Sequence, residues 1–288
     1  MKSGMGDIVM DRYAVIGNPI KQSMSPVIHR AFARETNQNL EYDKLFAEVD
    51  GFKPVVDAFF AAGAKGLNVT APFKLDAFAY ADSLTERART AGAVNTLALQ
   101  DDGRLLGDNT DGPGLVSDIR DRLGWRIEGQ RVLVLGAGGA TRGTLLPLLN
   151  ECPALLHIAN RTASKAVQLA EDFAAYGDLS ASGLDKIPQA FDLVINASAA
   201  GLSGERPQID PSVMGTGSCA YDMVYGAEPT AFLRWAEPLS ASTADGLGML
   251  VGQAAEAFYL WRGVRPSVEP VLSMLREALR NKVEAAAR

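Results

Sequence analysis

Residues 131–143, RVLVLGAGGATRG, restrict what this chain can fold into more than any other stretch. An apolar run ends at Gly136, a glycine-rich turn follows, and an apolar helical pattern continues to Leu149. A buried strand that turns through glycines into a helix opens a βαβ unit. The glycines permit the tight turn and let backbone N–H groups approach a pyrophosphate, towards which the helix N-terminus is positive. Gly136 and Gly138 fit the pattern G-x-G-x-x-[GA], while Thr141 fills its third place. The competing reading is a purely structural turn, and the strand–turn–helix context weighs against it. Gly136, Ala137, Gly138, Gly139 and Ala140 are therefore candidate phosphate-binding positions.

The pattern continues in the same style. LLHIAN at 155–160 reads as the next strand, ASKAVQLAEDFAA as a helix, FDLVINA at 191–197 and SCAYDMVY at 218–225 as further strands. Such a series predicts a parallel sheet with right-handed crossovers. Upstream, RYAVIG at 12–17 and AKGLNVT at 64–70 read as strands, and Ser25-Pro26 as an N-cap and first helical residue. A helix is predicted from Pro72 to Ser83 and a strand over 92–99, so the first hundred residues also form an α/β unit. Gly, Pro and Asp cluster between Gly107 and Gly114, where the two parts should meet. After Asp245-Gly246 comes a helix to Trp261 with Leu247, Leu250, Val251, Ala254, Phe258 and Trp261 on one stripe. Met249 and Gln253 share a different face of that helix. Pro266 and Pro270 precede a last amphipathic helix.

Composition narrows the function. The 288 residues carry a net charge of −6, so the bulk charge of a nucleic-acid binder is absent. No run of about 18 apolar residues predicts a membrane span. Met1 to Asp11 read as a loose leader without the apolar core of a signal peptide. Cys152 and Cys219 share no metal-ligand spacing, and no metal is expected. So few cysteines fit a reducing, cytoplasmic compartment, with a single disulfide left open. Only His29 and His157 are histidines, so acid–base work near neutral pH falls to Lys, Asp, Glu or Tyr, and His29 reads as a partly buried helix residue.

The second nucleotide strand selects the cofactor. NAD-binding units place Asp or Glu at its end, on the ribose 2′-hydroxyl. Here the strand ends in Asn160-Arg161-Thr162, with Lys165 close behind. A guanidinium offers paired, charge-assisted bonds to a 2′-phosphate that a carboxylate would repel. NADP is predicted over NAD; the plain alternative is that Arg161 is an exposed loop charge.

The remaining polar signals are short: Ser23 and Ser25 in QSMSP, Asn68, Thr70 and Lys74 in NVTAPFK, Asn95 in AGAVNT, Asp111 in GDNTDG, and Met249 and Gln253 in GLGMLVGQ. Singly each has an ordinary reading as a cap, a solvated lysine or a surface amide. Together with YAVIGNPIKQSMSP, GAGGATRG, NRT, YDMVY and DGLGMLVGQAAEAF, in this order over almost the whole chain, the set resembles the shikimate dehydrogenase family. The resemblance implies an N-terminal α/β substrate domain, a Rossmann-like NADP domain, and C-terminal helices returning to the substrate domain. On this sequence that division is 1–110 with 246–288, and 111–245. It implies NADPH-dependent reduction of 3-dehydroshikimate to shikimate, on the route to chorismate and the aromatic amino acids; the sequence leaves monomer and homodimer both open.

Residue by residue, the resemblance implies that Ser23 and Ser25, helped by Tyr225, hold the substrate carboxylate. Lys74, Asn95, Asp111 and Gln253 would meet the ring hydroxyls and the reacting oxygen, with Asn68 and Thr70 supporting the pocket. The glycine loop would hold the pyrophosphate, Asn160, Arg161 and Thr162 the adenosine phosphate end, and Ala197, Ser198, Met223, Gly246 and Met249 would surround the nicotinamide. Chemistry agrees: hydride arriving at a ketone leaves negative charge on oxygen, which a nearby ammonium stabilises and protonates. With histidine scarce, Lys74 is the natural acid and Asp111 its partner in a dyad; which of the two makes the formal proton step stays open, because such a pair titrates jointly. The sequence departs from the family at Gln22, where His is common, at Ala199 within NASAAG, which removes a hydroxyl near the nicotinamide side, and at Ala71. Competing readings are a quinate/shikimate dehydrogenase, disfavoured by the paired serines and by NRT, another two-domain NADP enzyme such as a methylenetetrahydrofolate dehydrogenase, and a catalytically silent nucleotide-binding protein.

Overall fold

A computed structural model of the chain describes residues 10–188 and 190–286. Most of the stretch read as a leader, residues 1–9, lies outside the described residues. The chain divides into two compact units. The first comprises the residues up to Arg89, Ala93–Asn109 and Ala254–Ser267. The second comprises Thr90–Gly92, Thr110–Gln253 and the chain from Val268 onward.

In the first unit the elements run β1 (Asp11–Gly17), α1 (Ser25–Glu35), β2 (Leu40–Phe46), α2 (Phe52–Ala61), β3 (Ala64–Val69), α3 (Lys74–Tyr80), β4 (Ser83–Leu84), α4 (Glu86–Ala91), β5 (Thr96–Leu99) and β6 (Leu105–Asp108). They form one mixed sheet in the order β2-β1-β3-β5-β6-β4, with β5 antiparallel to both neighbours. The strand expected over 92–99 is shorter, because Gly92 turns the chain at φ +63 before Thr96 begins to pair. Helix α1 begins one residue earlier than expected: Met24 is its N-cap, Ser25 is already helical, and Pro26 follows within the first turn. The helix expected from Pro72 to Ser83 is confined to α3.

The first core lies under β1 and β3. Ala14, Ile16, Leu67 and Val69 pack with Phe52, Val56, Phe73 and Leu97. Gly66 is required by geometry: a Cβ there would stand 2.4 Å from Nε1 of Trp261. Trp261 instead lies flat enough on the strand to donate to the Leu97 carbonyl at 3.0 Å. His29 is fully buried beside it, stacked on Tyr42 with ring centroids 4.3 Å apart. Burial holds the imidazole neutral, with its pKa lowered to about 3. His29 is thus a core aromatic rather than the partly buried residue expected.

The second unit contains α5 (Asp111–Ser117), β7 (Arg131–Leu135), α6 (Gly139–Asn150), β8 (Leu155–Asn160), α7 (Ala163–Phe173), β9 (Leu179–Gly183), β10 (Phe191–Asn196), β11 (Met214–Asp222), α8 (Ala231–Ala236) and β12 (Ser242–Asp245). Helix α9 (Leu247–Arg262) starts here and runs into the first unit, and α10 (Val268–Ala286) completes the second. The sheet order is β12-β11-β10-β7-β8-β9, every pair parallel. Val132 and Val134 of β7 face one core with Leu145, Leu156 and Leu193, while Leu133 and Leu135 face the other with Phe191, Val194 and Phe232. Burial on both faces is why these strands read as continuous apolar runs.

Three contacts explain why residues 246–253 and the last helix group with the second unit, where the sequence reading placed all of 246–288 with the first. A Cβ on Gly248 would stand 1.9 Å from the Asp118 carboxylate, which also accepts from Tyr221 at 2.6 Å and pairs with Arg122. A Cβ on Gly252 would stand 2.9 Å from the Gly114 carbonyl, so α9 crosses α5 with backbone against backbone. Arg276 of α10 grips Asp245 through two bonds of 2.7 and 2.5 Å and donates to the Gly226 carbonyl at 3.2 Å. Helix α10 begins at Val268, so Pro270 lies within its first turn rather than ahead of it. Cys152 and Cys219 are both free thiols. No helix among the described residues is long and apolar enough to cross a membrane, and no group of metal-ligating side chains occurs among them.

Candidate active site

The second unit carries a cavity of about 1330 Å³ at the C-terminal ends of β7, β8, β10 and β11. Ligands of doubly wound sheets bind in such a crevice where the strand order reverses, here between β7 and β10. The expected positions Gly136, Ala137, Gly138, Gly139, Ala140, Asn160, Arg161, Thr162, Lys165, Ala197, Ser198 and Met223 all line it.

The glycine loop is built for close approach. Gly136 has φ +115, and a Cβ on it would lie 3.1 Å from the Ala197 carbonyl and the Ser198 nitrogen. Gly138 and Gly139 have nothing within 4 Å of where a Cβ would be, so the face of the loop at the start of α6 is open to a pyrophosphate. Thr141, the misfit to the motif, is fully buried and donates its hydroxyl to the Gly136 carbonyl at 3.0 Å. That bond closes the turn from inside and gives the third position a use that glycine could not supply.

At the second strand end, Asn160 Nδ2 donates to the Thr162 carbonyl at 3.0 Å and shapes the turn that presents Arg161. Arg161 and Lys165 are exposed and take part in no ion pair among the described residues. Arg206 and Arg234 line the same cavity and were not anticipated. Arg206 stacks on Trp235 at 4.9 Å and donates to the Pro207 carbonyl at 3.0 Å. Four cations against Glu205 make this cavity positive in a chain of net charge −6. Beyond NASAAG, whose Ala199 was read, the stretch 203–208 was missed; its signal is its position after β10 at the switch point, since its residues match no motif.

A buried network sets the ends of β10 and β11. Ser198 donates to Asn196 Oδ1 at 2.7 Å, Asn196 Nδ2 donates to Asp222 at 3.1 Å, and Thr230 donates to the other Asp222 oxygen at 2.5 Å. Burial raises the Asp222 pKa, and these bonds hold it down only in part. Gly246 and Met249 do not line the cavity; Gly246 abuts the Met223 backbone, where a Cβ would stand 2.1 Å from its carbonyl oxygen, and Met249 packs on the core.

The second unit also places Asp111, Tyr225 and Gln253. Asp111 is the first residue of α5, and Gln253 sits where α9 crosses that helix: a Cβ on Gly114 would meet the Gln253 nitrogen at 2.4 Å. Gln253 Nε2 donates to the Leu250 carbonyl at 2.8 Å. Tyr225 is half-buried, and burial followed by the charge of Asp245 raises its pKa. Beside it Gly226 is held by Arg276.

The first unit gathers Ser23, Ser25, Asn68, Thr70, Lys74 and Asn95. Ser23 donates to Ser25 Oγ at 3.2 Å, and the Ser25 N–H donates to Ser23 Oγ at 3.3 Å, so the two hydroxyls form one pair. Thr70 packs against Gly17, where a Cβ would stand 2.5 Å from its methyl group. The Val94 N–H donates to the Lys74 carbonyl at 3.0 Å, and the Val69 N–H to the Asn95 carbonyl at 2.7 Å, which ties NVTAPFK to AGAVNT. Two cis peptide bonds, Asn18-Pro19 and Ala71-Pro72, lie on adjacent loops joined by the Asn18 N–H to the Ala71 carbonyl at 3.0 Å. Lys74 opens α3 and is half-buried.

Comparison with known proteins agrees with this layout. Residues 15–97 match the shikimate dehydrogenase substrate binding domain, 118–203 the family described as shikimate / quinate 5-dehydrogenase, and 246–276 the shikimate 5'-dehydrogenase C-terminal domain. The shikimate dehydrogenase (NADP(+)) of Cellvibrio japonicus is 57% identical over 274 residues, 94% of this chain and 99% of that protein. Among solved structures, an Ael1 enzyme from Pseudomonas putida superposes with TM-score 0.89 at 46% identity, covering 92% of this chain and 98% of that one. The shikimate 5-dehydrogenase of Thermus thermophilus, in complex with NADP(H) and shikimate, gives TM-score 0.82 at 31% identity, covering 94% of this chain and all, 100%, of the other. With three family domains in order and relatives matched over nearly their full length, the chain belongs to the shikimate dehydrogenase family.

Proposed function

We propose that the chain catalyses the reversible NADPH-dependent reduction of 3-dehydroshikimate to shikimate, on the route to chorismate and the aromatic amino acids. The observation that carries this reading is the positive cavity with Arg161 and Lys165 at the end of β8, in a chain that also holds the paired Ser23 and Ser25 hydroxyls. The cavity residues fit NADP: Gly138 and Gly139 are open to the pyrophosphate, and Arg161 and Lys165 suit a 2′-phosphate. Bound NADPH supplies the hydride for the ketone carbon.

The protein's own part is positioning and proton management. Ser23 and Ser25, with Tyr225, donate hydroxyl hydrogen bonds to the substrate carboxylate. Asn95 and Gln253 hold ring hydroxyls, Asn68 and Thr70 support the pocket, and Gly246 and Met249 back the nicotinamide end. The Lys74 ammonium neutralises the developing oxyanion and gives it a proton, with Asp111 orienting the ammonium and accepting from a ring hydroxyl. The functional division is a substrate domain of 1–110 and 246–288 and an NADP domain of 111–245, in a cytoplasmic monomer or homodimer.

The test is absorbance at the NADPH band with 3-dehydroshikimate, repeated in reverse with shikimate or quinate and with NADP or NAD. NADP-preferring turnover of shikimate with little quinate activity supports the reading. Comparable quinate activity, or preference for NAD, overturns the substrate assignment or the role of Arg161.

A further inference from the structure

A chain of buried hydrogen bonds in the first unit ends on the Asn95 amide. The Tyr42 hydroxyl donates to Asn68 Oδ1 at 2.6 Å. Asn68 Nδ2 donates to Thr96 Oγ1 at 3.0 Å and to the Asn95 backbone carbonyl at 3.4 Å. The Thr96 hydroxyl in turn donates to Asn95 Oδ1 at 2.9 Å. All four residues are buried, Tyr42 and Thr96 completely, and Tyr42 is clamped by the stacked ring of His29.

The direction of this chain is fixed by chemistry. The Asn95 carbonyl can only accept, so the edge of Asn68 that faces it is the N–H2 edge. Asn68 Oδ1 therefore lies on the Tyr42 side and takes the phenolic proton. Thr96 Oγ1 accepts from Asn68 and gives its single proton to Asn95 Oδ1. Reversing Asn68 would set its carbonyl oxygen against that of Asn95 at a buried position, which is costly.

We infer that Tyr42 and Thr96 are positioning residues for the reaction: acting through Asn68, they hold the Asn95 amide with its oxygen committed to Thr96, so that Asn95 meets a hydroxyl of the substrate ring as a hydrogen-bond donor. The inference rests on the proposed contact of Asn95 with substrate. An amide that donates selects an oxygen lone pair and leaves that hydroxyl's own proton for an acceptor elsewhere in the pocket. The polarity of the site is thereby set by two residues that need never touch substrate.

Thr96→Val removes the hydroxyl and keeps the shape, whereas Thr96→Ser keeps the hydroxyl. These variants, with Tyr42→Phe and Asn95→Ala, are compared for melting temperature and for the separate KM values of shikimate and NADP. Thr96→Val and Asn95→Ala are each expected to lower kcat/KM for shikimate about tenfold, the worth of one buried hydrogen bond, with the KM for NADP within about twofold of wild type. Thr96→Ser should recover to within about threefold, and Tyr42→Phe should shift the shikimate KM in the same direction as Thr96→Val. An impaired Asn95→Ala beside a Thr96→Val with wild-type shikimate kinetics overturns the relay and leaves the contact of Asn95 standing. An unimpaired Asn95→Ala removes that contact and the relay with it. Should Thr96→Val fail to fold, unchanged shikimate kinetics in Tyr42→Phe overturn the inference.

Discussion

Gly114→Ala tests the crossing of α5 and α9 by the sign of its effect. In an open helix this substitution stabilises by about 0.5–1 kcal/mol, because alanine loses less conformational freedom on folding. Here the new Cβ would stand 2.4 Å from the Gln253 nitrogen and 2.8 Å from its Cα, where ordinary contact begins at 3.4 Å. Both neighbours are backbone, so the helices must part by about 1 Å, an overpacking of about 1–3 kcal/mol. The net is a destabilisation of about 1–2 kcal/mol, which for a unit of this size lowers Tm by about 2–8 °C. The same displacement separates Asp111, at the start of α5, from Gln253 on α9, and a misplacement of about 1 Å can lower turnover on the order of a hundredfold. Thermal unfolding by circular dichroism, with kcat for shikimate on the same preparation, measures both. A raised Tm with unchanged kcat would mean that the helices have room for a methyl group and that the crossing does not position these side chains.

Three further outcomes are expected. Lys74→Ala should lower kcat on the order of a hundred- to ten-thousandfold with a smaller change in KM, and turnover within about threefold of wild type would remove it as the acid. Arg161→Ala should weaken NADP about tenfold and NAD little in a fluorescence titration; equal losses for the two cofactors would assign Arg161 to something other than the 2′-phosphate. Burial lowers His29 to about 3 and His157 to about 4 from an ordinary 6.5. Their contribution to stability is therefore complete above pH 6.5 and lost as the pH falls towards those values, at up to about 1.4 kcal/mol per pH unit for each. The urea midpoint should fall between pH 7.5 and 5, with a shallower fall in His29→Phe; a midpoint that stays level over that range contradicts the burial argument.

The second unit was the more legible because its central strands are buried on both faces and the turns after β7 and β8 carry motifs. LLHIAN was read to its ends, since β8 lies between β7 and β9 and its buried positions run unbroken from Leu156 to Ala159, His157 among them. The strand β2, LEYDKLF, escaped notice because it lies at a sheet edge and only Tyr42 faces fully inward. The antiparallel β5 was invisible as such, because strand direction follows from tertiary pairing and leaves no local pattern. Of the cavity residues, the glycine loop and NRT were readable through backbone freedom and charge. Arg206 was not, because its placement depends on stacking upon Trp235, which a linear reading cannot bring near. The roles of Gly114 and Gly252 were hidden for the same reason: a glycine that admits a neighbouring helix looks like one that merely bends a loop.

The grip of Arg276 on Asp245 and Gly226 ties α10 to the segment that carries Tyr225. The Asp245 side chain is 9% exposed with α10 in place, so cutting the chain before α10 would take from this carboxylate both its cover and its cation. The segment thereby released is Met223–Gly226, which borders the dinucleotide cavity at one end and carries Tyr225 near the other. Unwinding α10 would therefore release the segment that borders the cavity and carries Tyr225.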